Sequence, residues 1–278
     1  MHEENRIQFL QPQQILKKMA ICPVAYIPLG VLEWHGEHNP YGADTLQAEG
    51  IAFACAKKSG GLVFPPLYYG LLQGLMETIP RFQTPILERM GWEKRRFDIN
   101  QMLDKAYEER ERYVHLLVHM LCQAEAMGFK LAVFVAGHYP LIDHARAAVI
   151  EFTDSRKFDD SLPAPMLAWA FADYLLIEKQ YPNSGDHGAC WETSHLLYLN
   201  PETVDMSLIA EKDEDLIGVL ISNKSPREAS AEFGCEIIDK AVDAAIPEIN
   251  DRLAHPNEYR NHGRCLTERL WEKRMQNK

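Results

Sequence analysis

Long apolar runs are missing from this chain. They break after about eight to ten residues, far short of the ~20 needed to cross a bilayer. The first twenty residues, Met1 to Ala20, lack the basic-then-apolar order of a secretion signal, and Glu3, Glu4 and Arg6 stand near their start. A cytoplasmic protein is therefore expected. Basic residues are in short supply: Asp and Glu number 40 against 29 Lys and Arg, a net charge of −11. No basic stripe with interleaved aromatics is present, so nucleic acid is excluded as a partner, because a phosphate backbone calls for a dense basic surface. No C-x-x-C occurs among the six cysteines, Cys22, Cys55, Cys122, Cys190, Cys235 and Cys265. That excludes a zinc ribbon and points to reduced core thiols. G-x-S-x-G, a P-loop and G-x-G-x-x-G are all absent, which removes the specific signals of a serine triad, a phosphate cradle and a dinucleotide site. Internal repeats, low-complexity tracts and Pro/Gly/Ser linkers are also lacking. The 278 residues are read as one domain, 1–278.

What remains is an ordinary soluble composition, 46% apolar and 25% charged, with ample material for a core. Val24 to Gly30 is a short apolar run that reads as a buried strand, although Pro28 weakens it at an interior position. A helix is expected from Thr45 to Ser59, and a second apolar run from Gly61 to Tyr69. From Gly70 to Asn100 the pattern is irregular, broken by Pro80, Pro85 and Gly91, and reads as a long functional or contact loop. Met102 to Met127 is the clearest helix, closed by Gly128. Leu131 to Gly137 is the best strand, apolar throughout as in a parallel sheet covered on both faces. A helix over Leu141 to Thr153, a strand over Pro163 to Ala170, a helix over Trp191 to Leu199 and a long C-terminal helix over Pro226 to Arg252 complete the pattern. Strands alternating with helices predict a layered α/β fold with a largely parallel sheet.

Two of the strands run into side chains of metal-ligand type. The first is followed by Glu33, His35 and Asp44, the best strand by His138. In open α/β sheets the functional crevice lies at the carboxyl ends of the strands, so these positions are expected to converge. Glu33 and His35, two apart in an extended segment, lie on one side. Asp44 follows a turn with Pro40 and Gly42, which leaves room for the chain to loop back. A third cluster, Gly185 to Ser194, carries His187 and, in the first turn of a helix, Glu192; Gly185 and Gly188 permit unusual dihedrals or a close ligand. Mixed histidine and carboxylate donors suit zinc, manganese or iron. His115 and His119, four apart on the long helix, have no obvious carboxylate partner and read as helix-surface residues; His144 and His195 read as helix residues too. Trp34, Trp169 and Trp191 are candidates for core or pocket wall. Residue types and spacing alone reach a metal-dependent hydrolase.

At this point the chain resembles the creatininase (creatinine amidohydrolase) family. Gly30-Val-Leu-Glu33-Trp-His35-Gly36-Glu-His38-Asn-Pro40 through Asp44 is similar to that family's G-S-x-E-x-H-G-x-H-L-P…D segment. Gly137-His138-Tyr139 resembles the G-H after its central strand, and His187-Gly188-Ala-Cys-Trp-Glu192-Thr193-Ser194 its H-x-G-x-x-E-T-S. Ser225 to Gly234 is similar to the opening of its C-terminal helix. The resemblance implies a three-layer α/β sandwich with a divalent metal centre of one or two ions, zinc first and manganese or iron as alternatives, in a homo-oligomer, frequently a hexamer. It implies Glu33, Asp44 and His138 on one metal, with Asp44 bridging to a second that His35 also binds and Glu192 completes. It also implies His187 as the residue that moves protons, and His38, Tyr139 and Trp191 beside a small-molecule substrate.

The chemistry implied is hydrolysis. Two cations sharing Asp44 would lower the pKa of a bridging water, and the resulting hydroxide would attack a polarised carbonyl. A C–N bond in a cyclic amide or formamide is the first expectation. Hydrolytic C–C opening of an inositol-derived cyclic diketone is an alternative at the same site, and a non-catalytic metal-binding protein is another. Three departures from the family pattern bear on this. Pro140 stands where creatininase has a ligand carboxylate, Glu77 replaces a glycine in Met76-Glu77-Thr78-Ile79, and Asn39 replaces a leucine before Pro40. They point to a substrate pocket different from that for creatinine.

Overall fold

The computed structural model describes residues 4–72, 74–93, 106–154 and 166–259. The expected helix start at Met102, the expected strand start at Pro163 and Cys265 lie outside these residues. Four parallel strands form one sheet in the order β2-β1-β3-β4: β1 Val24–Leu29, β2 Leu62–Val63, β3 Leu131–Ala136 and β4 Leu167–Phe171. Val24 pairs with Leu131 and Leu29 with Ala136, so β1 and β3 end level. Whatever follows Leu29 and Ala136 emerges side by side.

Alternate strand residues face opposite layers. Ala25, Ile27, Leu29, Ala132, Phe134 and Ala136 pack beneath α4 (Ala106–Ala126) and α5 (Leu141–Asp154). Tyr26, Leu131, Val133 and Val135 pack against α2 (Ala43–Ser59) and α8 (Ala231–Ala254). The result is helices, sheet, helices: the three-layer α/β sandwich. Two helices outside these layers are α1 (Pro12–Ile21) and α3 (Pro80–Met90). The short α6 (Asp173–Ile177) follows β4, and α7 (Cys190–Leu199) packs on α2 and α8. Cys22, Cys55 and Cys190 are buried thiols.

Several boundaries differ from the sequence expectation for identifiable reasons. The second apolar run is a strand only at Leu62–Val63, because Pro65 and Pro66 cannot donate to a ladder. Pro28 is accommodated inside β1: its carbonyl faces the β2 side beyond the end of that strand and accepts from Leu67 N at 3.0 Å. The irregular segment after Gly70 contains α3, and the residues that broke its pattern are its punctuation. Pro80 opens the helix and Gly91 closes it in the left-handed conformation, φ 65°. The C-terminal helix starts at Ala231, not Pro226. Ser225 and Glu228 cap a separate turn, Pro226–Glu228, and Ser230 caps α8 by accepting from Phe233 N. The sequence reading assigned no helix before Val24, yet α1 forms there on a Gln11–Gln14 capping box with Pro12 at its first position.

One contact joins fold to site. A Cβ added at Gly137 would lie 1.8 Å from the Asp44 carbonyl oxygen and 3.1 Å from the Ala48 Cβ. The exit of β3 therefore rests directly on the first turn of α2. Gly137→Ala is expected to destabilise the fold by about 1–3 kcal/mol, the usual cost of overpacking. It should also lower metal content, since Asp44 must shift; denaturant unfolding and elemental analysis measure the two effects.

Candidate metal centre

Four chain segments meet at the carboxyl end of the sheet. The loop after β1 doubles back, with Glu33 N donating to Tyr41 O at 2.9 Å, and so delivers Asp44 to the first turn of α2 opposite Glu33 and His35. His138 comes from the end of β3 and Glu192 from the first turn of α7. Two triads result, and they share Asp44. In one, His138 Nδ1 lies 3.0 Å from Glu33 Oε2 and 3.1 Å from Asp44 Oδ2. In the other, His35 Nε2 lies 3.0 Å from Asp44 Oδ1 and 3.5 Å from Glu192 Oε2. The carboxylate of Asp44 thus offers one oxygen to each side. Glu33, His35 and His187 form a third close group on the same spot.

His138 Nε2 is buried without a hydrogen-bond partner, whereas the protein holds the other ligands' remaining polar atoms and so aims their ligand atoms inward. Glu33 Oε1 accepts from Met76 N at 2.7 Å, leaving Oε2 without a hydrogen-bond partner. His35 Nδ1 donates to the Glu33 carbonyl at 3.0 Å, so Nε2 is its ligand nitrogen. Glu192 Oε1 accepts from Gln47 Nε2 at 3.1 Å and Oε2 from Gly188 N at 2.8 Å. Gly188 needs its left-handed φ of 62° there, and a Cβ would strike the His35 carbonyl oxygen at 2.6 Å.

Burial and charge set the titration of these groups. Glu33, Asp44 and Glu192 are at most 2% exposed, and among the described residues no lysine or arginine forms an ion pair with any of them. Burial opposes their ionisation, yet the histidines beside Asp44 hold its carboxyl well below the usual range. Burial also opposes a charge on His138, but Glu33 and Asp44 outweigh it and raise its pKa to about 10. Burial lifts Glu192 to about 8 and Asp186 to about 7. It lowers His187 and His38 to about 4. A buried cluster of carboxylates balanced only by histidine protons is the donor set of a divalent cation. The spacing agrees: ligands about 2.0–2.2 Å from an ion at tetrahedral angles stand roughly 3.3–3.6 Å apart, against the 3.0–3.5 Å seen here. The residues fit the metal.

A cavity of ≈340 Å³ opens over the cluster, lined by Glu33, Asp44, His138, Tyr139, His187 and Glu192 among others. His187 Nε2 donates to the Trp34 carbonyl at 2.7 Å, and its ring lies 4.1 Å from that of His35. Of the three residues expected beside the substrate, Tyr139 lines this cavity, and its buried hydroxyl has no hydrogen-bond partner. His38 and Trp191 do not line it. His38 is 2% exposed, with its Nε2 held at 3.0 Å by the Gly188 carbonyl. Trp191 is tied to Asp173 by its Nε1 at 2.9 Å and lines a neighbouring cavity. His115 sits on the surface 3.6 Å from Glu151, a carboxylate the sequence reading did not pair with it, and His195 is buried between Gln47 and Asp173.

Three supporting residues escaped the sequence reading or were seen only as anomalies. Gln47 stands one turn after Asp44, and that spacing was the available signal. Asp186, by accepting from Trp191 N at 2.7 Å and Glu192 N at 3.2 Å, caps the helix that carries Glu192. Glu77, 0% exposed, braces the ligand segment from behind: its Oε1 accepts from Trp34 N at 3.0 Å and from the Tyr41 hydroxyl.

The sequence profile of the family described as "Creatininase: Creatinine amidohydrolase" matches residues 9–82 and 109–249. The chain belongs to the creatininase family. A creatinine amidohydrolase from Pseudomonas putida is 23% identical over 198 residues, 68% of either chain. A mutant creatininase of "Zn-Zn type" superposes with a TM-score of 0.65 at 18% identity, covering 90% of this chain and 98% of that one. A creatininase described with Mn gives the same values. These structures share the fold of this creatininase-family chain. The chain is accordingly a metal-binding hydrolase of that family.

Metal and protons compete for these ligands. Because His138 stays protonated up to about pH 10 without metal, metal uptake at neutral pH should release at least about one proton per chain. Affinity should therefore fall as pH is lowered, which calorimetry in buffers of different ionisation enthalpy will read. Glu33→Gln should abolish near-stoichiometric metal content. Glu77→Ala, which strands two buried donors, should cost about 1–3 kcal/mol of stability. Glu77→Gln keeps an acceptor oxygen and should restore most of it, a comparison made by thermal melting.

Proposed function

We propose that the chain hydrolyses a C–N bond of a small polar molecule, a cyclic amide or formamide, at a centre where Glu33, Asp44 and His138 hold one divalent ion and His35, Asp44 and Glu192 a second. The observation that carries this reading is the sharing of Asp44 by two ligand triads on the floor of a cavity that His187 also enters. Glu192 supplies the carboxylate that Pro140 cannot. Zinc suits the donors, as do manganese and iron; relatives described with Zn-Zn and with Mn support the first two. A homo-oligomer, hexameric by family resemblance, working in the cytoplasm on a small molecule belongs to the same proposal.

When bound, the metal polarises the substrate carbonyl and lowers the pKa of a water. The protein's own residues do the rest. His187 Nε2–H is committed to the Trp34 carbonyl, so Nδ1 is the nitrogen that exchanges a proton with the substrate. Burial keeps the ring neutral at neutral pH, so His187 acts first as base, taking a proton from water, and then as acid, returning it to the leaving nitrogen. The unpartnered Tyr139 hydroxyl is placed to donate to a substrate oxygen.

His187→Ala should lower kcat by about 10²–10⁴-fold while leaving metal content intact. A panel of cyclic amides, formamides and cyclic diketones tests the bond. Amide turnover supports the proposal, diketone turnover alone transfers it to C–C hydrolysis, and full metal with no turnover of any class returns the chain to a metal-binding role.

A further inference from the structure

A second cavity, ≈280 Å³, adjoins the first and shares Ser184, Gly185, Asp186 and Ser222 with it. Its other side is aromatic. Trp191 meets Tyr181 with ring centroids 5.7 Å apart at 73° and Phe233 at 5.9 Å and 84°; Tyr181 and Phe233 stand 6.3 Å apart at 63°. Edge-to-face clusters of this kind present ring faces and edges to a further flat ring. Lys224 is exposed, its Nζ 5.2 Å over the Phe233 ring, and among the described residues it is the single lysine or arginine lining either cavity. The Ser184 hydroxyl, on the shared wall, is buried without a hydrogen-bond partner. Asp186, also on that wall, is occupied in capping α7 through Trp191 N and Glu192 N. An incoming group thus meets aromatic surface and one cation.

The two adjoining cavities together span a longer ligand than the first alone holds. We propose that the second cavity seats a flat aromatic acid portion of the substrate. Its ring lies against Trp191, Tyr181 and Phe233, its anionic group at Lys224, and its hydrolysable amide reaches past Ser184 to the metal centre. This rests on the C–N reading above for the reaction and on the second cavity for the ligand. The segments around the shared wall are held in place by hydrogen bonds. His187 and Leu220 exchange backbone hydrogen bonds at 3.0 and 2.8 Å, and Asn223 Nδ2 holds the Pro182 and Asn183 carbonyls at 3.0 Å.

The test uses 4-formamidobenzoate and its amine, 4-aminobenzoate. Hydrolysis breaks the C–N bond of the first, joins the water oxygen to the formyl carbon and leaves a proton on the nitrogen, giving formate and 4-aminobenzoate. Binding of 4-aminobenzoate to the metal-loaded protein is followed by calorimetry, for wild type, Lys224→Met and Phe233→Ala. Each variant is checked for unchanged metal content and melting temperature; exposed Lys224 guards against loss of fold. Each substitution is expected to weaken binding by about tenfold or more, the loss of one charge-assisted or ring contact. 4-Formamidobenzoate should also be turned over with a lower KM than formamide itself. Absent binding, or binding equal in all three proteins, overturns the subsite even where simple amides are hydrolysed. Binding that depends on Lys224 and Phe233 with no amide hydrolysed upholds the subsite and overturns the C–N reading instead.

Discussion

The Asp44 carboxylate governs this structure. One oxygen faces His138 and Glu33, the other His35 and Glu192. Its position is fixed from three directions: by the first turn of α2, where the helix dipole favours an anion, by the glycine exit of β3 pressed on its backbone, and by the two histidines. Every other candidate ligand reaches the centre from a different segment and is oriented relative to this one group. Three carboxylates with no lysine or arginine partner among the described residues are costly to bury. A bound cation removes that cost, and so the same cluster that would catalyse also decides whether the end of the sheet is well ordered.

Around the ligands lies a ring of hydrogen bonds that links apparently separate features. Glu77 holds the peptide nitrogen of Trp34, and the carbonyl of Trp34 holds His187. Gln47 joins Glu192, the Gly137 carbonyl and His195, whose other nitrogen approaches Asp173. The departures Glu77 and Pro140 are therefore absorbed in different ways. Glu77 has become a brace for the ligand loop, and Pro140 leaves Glu192 on α7 as the carboxylate beside His35 and Asp44.

The α/β layering and the convergence of the candidate ligands are legible because both depend on local pattern. Apolar strands end in histidine and carboxylate, and their parallel order places those ends together. Other features depended on contacts between distant segments. Nothing local to His38 or Trp191 tells that their polar atoms are claimed by Gly188 and Asp173, and nothing near Glu77 says that its partners lie more than thirty residues earlier. α3 is hidden in the sequence because Pro80 and Gly91 interrupt the local pattern, whereas in the structure they are the helix's ends. The early stop of β2 could have been foreseen from Pro65 and Pro66, and the late start of α8 from Ser230, had each proline and serine been asked which backbone donor it removes or satisfies.

The ligands are also spread along the chain in a way that sets an order of assembly. Glu33, His35 and Asp44 are present early in synthesis, His138 follows only after α4 and β3, and Glu192 arrives later still on α7. A growing chain can complete the first triad once β3 has paired with β1, whereas the second has no carboxylate from α7 until roughly two thirds of the polypeptide has been made. Any ion taken up early is held at half a centre. An ion held by His35, Asp44 and Glu192 would staple the first third of the molecule to the last, closing a loop whose entropy the sheet alone does not recover.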